Sequence, residues 1–210
     1  LAFVERIQPN GLALLCMDDP LTQKLMDVMN KSGIRVLSYG ASPQADYQAD
    51  HIQLDGVQHR FCLKKRDEVG RILELGSQML TLPGQHNILN ATAALAVIDQ
   101  LGLPLDKAMS ALQSFTGTQR RFEVLGEADG ITLIDDYGHH PTQLMVTLKA
   151  AQQRYPGKRI WAVWQPHTYT RTLALADDFT RALKLADRVL VLPVYAAREK
   201  NPGYSAEQFI

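Results

Sequence analysis

The sequence predicts an α/β protein with two consecutive parts. Short apolar runs, typical of buried strands, alternate with segments whose apolar residues recur at helical spacing. A polar, glycine-bearing stretch at residues 114–119 interrupts this alternation, which then resumes. We therefore predict one domain at residues 1–118 and a second at residues 119–210, because 210 residues suffice for two modest domains.

The first part opens with a predicted β-α-β unit. The apolar run at residues 12–16 lies between turn-forming residues and predicts a buried strand. A helix is expected to begin near Pro20 and to end before Gly33, because proline favours the first helical turn and glycine favours a helix end. Residues 34–39 predict a second strand, parallel to the first.

The rest of the first part predicts a hairpin, a further strand and two helices. Hairpin strands are expected at residues 49–54 and 59–63, with Asp55-Gly56 as the turn. The later strand and the two helices are expected at residues 79–82, 88–101 and 105–112. His51 and His59 are interpreted as surface residues of the hairpin and not as ligands.

The second part predicts a new sheet with helices against it. Two strands, at residues 122–125 and 131–134, flank the turn dipeptide Asp129-Gly130. A helix, a strand, a second helix and a second strand follow at residues 141–155, 160–164, 170–186 and 189–192. This alternation predicts parallel strands, and residues 205–210 predict the start of one more helix.

Composition and charge argue against several classes of partner. The 22 basic residues balance the 22 acidic ones, so no overall field favours nucleic acid or an anionic membrane. No apolar stretch reaches the roughly 18 residues of a membrane span. Cys16 and Cys62 have neither metal-ligand spacing nor disulfide density. We predict a cytoplasmic protein, and the start at Leu1 without methionine predicts a segment of a longer one.

Polar residues follow predicted strands at three places, where ligands bind in open α/β sheets. In the first segment, His86, Asn87 and Asn90 lie in the opening turn of a predicted helix, where backbone N–H groups face outward. An asparagine amide carries donors and an acceptor, so these side chains suit a purine edge. Helix capping is the alternative, and chemistry alone favours it because asparagine and histidine are common at helix starts, so the adenine interpretation stays open.

The second segment, residues 134–142, places two carboxylates, a tyrosine and two histidines between a strand and a helix. Asp136 is suited to ribose hydroxyls or a metal, and Tyr137, His139 and His140 are suited to contacts with a reacting group. The alternative is a solvated loop in which an aspartate caps the helix. The density of titratable groups favours a functional site.

The third segment, residues 164–172, contains His167 and Arg171, four positions apart. If the helix begins early enough, the two share a face and together bind a carboxylate. The alternative is an ordinary capped helix with an exposed arginine. Arg120-Arg121, at the predicted domain boundary, is either a nucleotide contact or a solvated basic pair.

Taken together, these motifs resemble the Mur ligase family. The resemblance rests on PGQHNILNATAA, RRFE, DDYGHHPT and QPHTYTRT in this order, and it extends to GLALLCMDDP and VLPVYAAREKNPG near the two ends. It implies the second half of a central ATP-binding α/β domain, followed by the first part of a Rossmann-like carboxy-terminal domain. The implied activity joins L-alanine to UDP-N-acetylmuramate through an acyl phosphate, with ATP and Mg²⁺.

The resemblance also implies roles for individual residues. Those that match the nucleotide-binding positions are His86, Asn87, Asn90, Arg121 and Asp136, for adenine, phosphates and ribose. Those that match positions around the incoming alanine are Tyr137 and His139 as catalytic residues, and His140, His167 and Arg171 as substrate-binding residues. Some relatives have a second basic residue where this chain has Thr168, so carboxylate binding is expected to rely more on Arg171.

One family motif is absent from the sequence. Nothing in it matches Gly-x-x-x-x-Gly-Lys-Ser/Thr, the loop that binds triphosphate, and the resemblance places that loop before Leu1. We therefore expect the isolated chain to be inactive, with no metal ligands of its own. Two alternatives remain: the related ligase that recycles a tripeptide, for which QPHTYTRT is a poor match, and a non-catalytic nucleotide-binding module. A dinucleotide oxidoreductase is disfavoured because no Gly-x-Gly-x-x-Gly follows a predicted strand.

Overall fold

A computed structural model describes residues 6–8, 10–31, 33–55 and 58–203. Its contacts divide the chain into two compact units, Leu1–Thr116 and Gly117–Ile210, called here the first and second unit. The predicted helix at residues 205–210 lies outside the described residues. Within the described ranges, no helix is both long and apolar enough to cross a membrane.

The first unit begins with the predicted β-α-β arrangement. Strand β1 (Leu12–Cys16) is followed by helix α1 (Pro20–Lys31) and strand β2 (Arg35–Gly40). All five residues of β1 pair in parallel with β2, which confirms the prediction. After β1, the Asp18 carboxylate accepts hydrogen bonds from the N–H groups of Ala41 and Ser42, at 2.7 and 2.9 Å. These bonds join the carboxyl ends of the two strands.

Three further strands complete one mixed sheet, in the order β1-β2-β3-β4-β5. They are β3 (Tyr47–Asp55), β4 (Gln58–Arg66) and β5 (Ile72–Leu80). Strand β3 is parallel to β2, whereas β4 pairs antiparallel with both β3 and β5. The predicted hairpin is confirmed in its strands, although its turn lies outside the described residues. Strand β5 begins at Ile72, well before the predicted residue 79.

Two helices cover this sheet: α2 (Gln85–Gln100) and α3 (Leu105–Ser114). The core of the first unit forms where α2 and α3 pack on the sheet. Its buried residues are Ala49, Phe61, Leu63, Leu80, Ile88, Ala91 and Leu95. Burial of each large side chain in this cluster contributes about 1.5–3 kcal/mol to holding α2 on the sheet.

A polar network ties the carboxyl end of α2 to the sheet. The Asp99 carboxylate accepts hydrogen bonds from the Tyr47 hydroxyl at 2.5 Å and from Lys65 Nζ at 2.6 Å. Burial alone would raise the pKa of Asp99, but the hydrogen bonds from Lys65 and Tyr47 outweigh it and hold the pKa below its usual value. The position of α2 is therefore set by charge-assisted contacts at this end.

The second unit starts with a separate two-stranded hairpin, β6 (Glu123–Ala128) and β7 (Ile131–Asp135), which pair antiparallel. Helix α4 (Pro141–Arg154) and strand β8 (Trp161–Trp164) follow. The predicted parallel pairing is confirmed between β8 and the last strand, β9 (Arg188–Val191).

The helical segment between β8 and β9 differs from the prediction. Instead of one helix it forms α5 (Tyr169–Ala174) and α6 (Ala176–Leu183), with a break at Leu175. Asp177 and Asp178 lie in the first turn of α6, where acidic side chains stabilise a new helix start. The core of this unit packs α4 and α6 on β8, with Trp164 and Phe179 ring centroids 4.7 Å apart.

Candidate active site

Four rings form a continuous row in the second unit. The ring centroids of Tyr137 and His139 are 5.2 Å apart, those of His139 and His167 are 6.1 Å apart, and those of His167 and Tyr195 are 5.2 Å apart. Tyr137 and His139 follow β7, His167 follows β8 and Tyr195 follows β9. The segments leaving three successive strands therefore meet in one place, as expected for a ligand site.

The loop after β7 is held by the Asp136 carboxylate. One carboxylate oxygen accepts from the N–H of Phe122 at 2.9 Å and the other accepts from the N–H of Gly138 at 2.7 Å. The N–H of Tyr137 donates to the Arg120 carbonyl at 2.8 Å. These bonds fix the loop before any ligand arrives, and each carboxylate oxygen keeps a further lone pair.

The orientation of His139 is set from two sides. Its N–H donates to the side-chain oxygen of Gln143 at 3.0 Å, and its Nδ1 lies 3.1 Å from the Tyr137 carbonyl oxygen. A carbonyl oxygen only accepts hydrogen bonds, so Nδ1 carries the hydrogen of the neutral ring. The lone pair therefore belongs to Nε2, which is the form of histidine that accepts a proton from a reacting group.

Two arginines flank Tyr137. The guanidinium carbons of Arg120 and Arg121 lie 4.7 and 5.9 Å from the centroid of its ring, within the range of cation–π attraction. Arg120 Nε is also 3.5 Å from an Asp135 oxygen. The backbone at Arg120 and Phe122 has positive φ values, 58° and 50°, which are strained for these residue types.

His167 and Arg171 are not a helical pair. Helix α5 begins at Tyr169, so His167 precedes it and the condition set for a shared helix face is not met. The turn between them passes through Thr168, whose φ is 67°. His167 Nδ1 and Arg171 Nη1 are nevertheless buried and have no hydrogen-bond partner among the described residues. An unpartnered buried polar atom costs about 1–3 kcal/mol. Arg171 Nη1 only donates and so suits an acceptor supplied by a ligand, and His167 Nδ1 donates to the same acceptor in the tautomer that carries its hydrogen there.

His140 lies outside the row of rings. Its side chain is exposed, and its Nδ1 accepts from the N–H of Thr142 at 3.3 Å, at the start of α4. The structure thus shows a capping contact for His140. Its role in substrate binding stays a prediction.

The residues predicted to contact adenine lie at the start of α2, in the first unit. His86 and Asn87 are half-buried and Asn90 is exposed. The Asn87 amide nitrogen donates to the Pro83 carbonyl at 2.8 Å. No side chain caps the helix at Gly84, so none of these residues acts as the conventional cap there. Their adenine role stays a prediction, and an uncapped helix start is compatible with it.

His59 corrects one interpretation of the sequence. It was expected on the surface, but it is fully buried on β4, and its Nε2 accepts a hydrogen bond from the Gly84 N–H at 2.9 Å. The side chains of a strand alternate between two faces, and His59 lies on the same face as Phe61 and Leu63. A buried imidazole thus supplies the acceptor that the N–H preceding α2 requires.

Sequence reasoning missed three contributors to the site: Arg120, Tyr195 and Glu199. Arg120 was noted only as part of a basic pair, and the other two were quoted within VLPVYAAREKNPG without a role. Its position in the sequence could have identified Tyr195, because Tyr195 follows the end of β9 in the same way that His167 follows the end of β8. Among the described residues, no group of three or more His, Cys, Asp or Glu side chains is arranged to bind a metal.

Comparisons with known proteins cover both units. Residues 1–98 match the Mur ligase middle domain, and residues 120–210 match the Mur ligase glutamate ligase domain. A UDP-N-acetylmuramate–L-alanine ligase of Sorangium cellulosum is 44% identical over 215 aligned residues, which cover 100% of this chain and 44% of that protein. The chain thus spans less than half the length of the curated relatives it matches.

Solved structures show the same similarity. The UDP-N-acetylmuramate–alanine ligase MurC of Thermotoga maritima has a TM-score of 0.67 and 30% identity, over 88% of this chain and 38% of its own. A murein peptide ligase of Psychrobacter arcticus has a TM-score of 0.64 and 28% identity, over 90% of this chain and 38% of its own.

Proposed function

This chain belongs to the Mur ligase family, and from that premise we propose that it forms part of an ATP-dependent ligase joining L-alanine to UDP-N-acetylmuramate in peptidoglycan synthesis. In this proposal the second unit binds the amino acid and the first unit contributes to the nucleotide site. We place the reaction in the cytoplasm, as the sequence predicts.

The observation that carries the proposal is that two buried nitrogens lack a hydrogen-bond partner among the described residues: His167 Nδ1, on a ring of the row, and Arg171 Nη1, four residues further along the chain. An amino acid presents a carboxylate and an amine at a fixed short distance. A guanidinium binds a carboxylate through charge-assisted hydrogen bonds. With the carboxylate on Arg171 and His167, the amine has the adjacent rings of His139 and Tyr137 as its neighbours.

The chemistry assigned to these residues follows from their contacts. The muramate carboxylate attacks the γ-phosphorus of ATP, ADP leaves, and an acyl phosphate forms. The neutral amine of alanine then attacks the acyl carbon, the carbon–oxygen bond to phosphate breaks, and the nitrogen loses one proton. His139 Nε2 is the acceptor proposed for that proton, because its Nδ1 already carries a hydrogen. Proton transfer of this kind contributes about 100- to 10,000-fold in rate.

The nucleotide contacts are proposed residue by residue from the family resemblance. We propose that His86, Asn87 and Asn90 contact adenine, that Arg121 approaches the phosphates, and that Asp136 binds ribose through the lone pairs left by its backbone contacts. Mg²⁺ would neutralise phosphate charge during transfer, and its protein ligands are not assigned to this chain.

The tripeptide-recycling ligase is the second candidate, because the murein peptide ligase structure is nearly as similar as the alanine ligase structure. The curated relatives at 41–44% identity carry the name of the alanine ligase, which favours L-alanine. The test is phosphate release by the full-length ligase that carries this sequence, assayed with L-alanine and with the tripeptide. Turnover with the tripeptide alone would reject the proposal. A non-catalytic module would be supported if His139→Ala left turnover unchanged.

The isolated 210 residues are expected to be inactive. They contain no triphosphate-binding loop of the Gly-x-x-x-x-Gly-Lys-Ser/Thr type, and without one the γ-phosphate is not held for transfer. Phosphate release by the purified chain in the presence of ATP, UDP-N-acetylmuramate and L-alanine should equal the background without L-alanine. Release clearly above that background would contradict this expectation.

A further inference from the structure

The segment after β9 makes three kinds of contact with the turn that carries His167 and Arg171. Its backbone pairs with that turn: the N–H of Thr168 donates to the Tyr195 carbonyl at 2.9 Å, and the N–H of Tyr195 donates to the Pro166 carbonyl at 2.8 Å. His167 and Tyr195 form a parallel β-bridge. The β8–β9 pairing thus continues beyond both strands and into the site.

The side chain of Tyr195 supports His167 directly. The two ring centroids are 5.2 Å apart and their planes are tilted by 38°. Aromatic pairs at this separation are favourable by about 0.5–1.5 kcal/mol beyond the area they bury. Because the bridge fixes the backbone and the ring fixes the imidazole, Tyr195 limits the directions in which His167 can turn.

The side chain of Glu199 is hydrogen-bonded to the first turn of α5. Its carboxylate accepts from the N–H of Thr170 at 2.9 Å and from the Thr170 hydroxyl at 2.5 Å. The hydrogen bonds from Thr170, with a smaller contribution from the charge of Arg171, lower the pKa of Glu199. The carboxylate is therefore ionised at neutral pH and held next to the residue that precedes Arg171.

Helix α5 depends on such contacts for its position. It has six residues, and helices this short are not stable in water without tertiary contacts. Glu199 also carries a negative charge that would otherwise compete with a substrate carboxylate for Arg171. Both of its oxygens accept from Thr170, so the carboxylate is directed toward Thr170, and Arg171 Nη1 has no hydrogen-bond partner among the described residues.

We propose that Glu199 and Tyr195 are positioning residues for the acceptor amino acid, which act through Thr170 and His167 and keep Arg171 available for the acceptor carboxylate. This inference rests on the proposed function for the identity of the acceptor. It assigns a specific role to a segment whose residues touch neither nucleotide nor muramate in the proposal. The expected signature is a weaker affinity for the acceptor with an unchanged affinity for ATP.

The test uses the full-length ligase that carries this sequence, with whichever acceptor the wild type turns over, L-alanine or the tripeptide. Glu199→Gln and Thr170→Val each weaken or remove a hydrogen bond between residues 199 and 170. We expect each variant to raise the acceptor KM about tenfold, as the loss of a charge-assisted hydrogen bond predicts. Thr170→Ser keeps both donors and should retain the wild-type KM. Glu127→Gln changes an exposed glutamate of the β6–β7 hairpin and should have no effect.

The outcomes separate the two proposals. Wild-type turnover with the tripeptide alone would reject the proposed function, while the acceptor KM of the variants would still report on Glu199. An unchanged acceptor KM in Glu199→Gln and Thr170→Val would overturn the positioning role. So would an equal rise in the KM for ATP, because a purely structural loss affects both substrates. Hydrogen exchange at residues 170–175 should be faster in Glu199→Gln than in the wild type, and unchanged exchange would also count against the role.

Discussion

Replacing Arg171 with alanine is expected to lower kcat/KM for L-alanine by about 100-fold or more, the largest effect we predict on activity. The half-buried guanidinium is the cation proposed to bind the acceptor carboxylate, and its buried Nη1 has no hydrogen-bond partner within the described part of the chain. Position 168, next to the start of the helix that carries Arg171, is a threonine and offers no positive charge to compensate for the loss. The measurement is steady-state phosphate release by the full-length ligase at varied L-alanine concentration.

Two further variants make this measurement specific. Arg171→Lys keeps the charge but cannot form bidentate hydrogen bonds, so kcat/KM for L-alanine should fall less, by about tenfold. Arg181→Ala removes an exposed arginine that pairs with Asp178 on α6, and surface pairs of this kind contribute little. If Arg171→Ala and Arg181→Ala had equal effects on kcat/KM, Arg171 would have no special role in binding the acceptor.

Replacing His59 with alanine is expected to destabilise the first unit by about 2–4 kcal/mol. The substitution leaves the buried N–H of Gly84 without its acceptor and opens a cavity beside the core that holds α2. His59→Gln should recover much of the loss, because the glutamine amide oxygen reaches about as far as imidazole Nε2. Hydrogen exchange at the start of α2 is the most direct measurement.

The controls for this prediction come from the sequence itself. His51→Asn changes an exposed histidine on the adjacent strand whose φ is positive, a conformation that asparagine tolerates, and it should leave stability nearly unchanged. Both tryptophans, Trp161 and Trp164, belong to the second unit. Their fluorescence therefore reports on that unit alone, while peptide-level exchange reports on the first. Wild-type exchange at residues 84–90 in His59→Ala would show that the Gly84 contact does not stabilise the start of α2.

Local patterns were sufficient to predict some elements and not others. Strands β1 and β2 were predicted because each strand of a buried parallel pair appears in the sequence as a short apolar run bounded by turn residues. The first half of β5 was missed because this edge strand exposes Ile72 and Leu73 and contains polar residues, so it lacks a clear alternation. The break at Leu175 was missed because apolar residues recur at helical spacing on both sides of it.

Local sequence patterns also predicted only part of the candidate site. Tyr137, His139, His167 and Arg171 were predicted because each lies in a dense polar segment directly after a strand. Glu199 was missed because its contact is with Thr170, 29 residues away, and nothing local marks it. His59 was placed on the wrong face because a histidine in a strand is usually exposed, and only the packing of α2 shows that its acceptor is required.

The left-handed backbone on both sides of Arg121 means that substitutions at positions 120 and 122 affect stability and activity in opposite directions. Glycine at position 120 or 122 would relieve torsional strain of about 1–3 kcal/mol per residue and could make the protein more stable. The change at position 120 would also remove the guanidinium beside Tyr137, and glycine at either position would loosen the backbone that positions Arg121. Directed evolution for heat resistance alone should therefore select substitutions in this tripeptide that selection for turnover would discard.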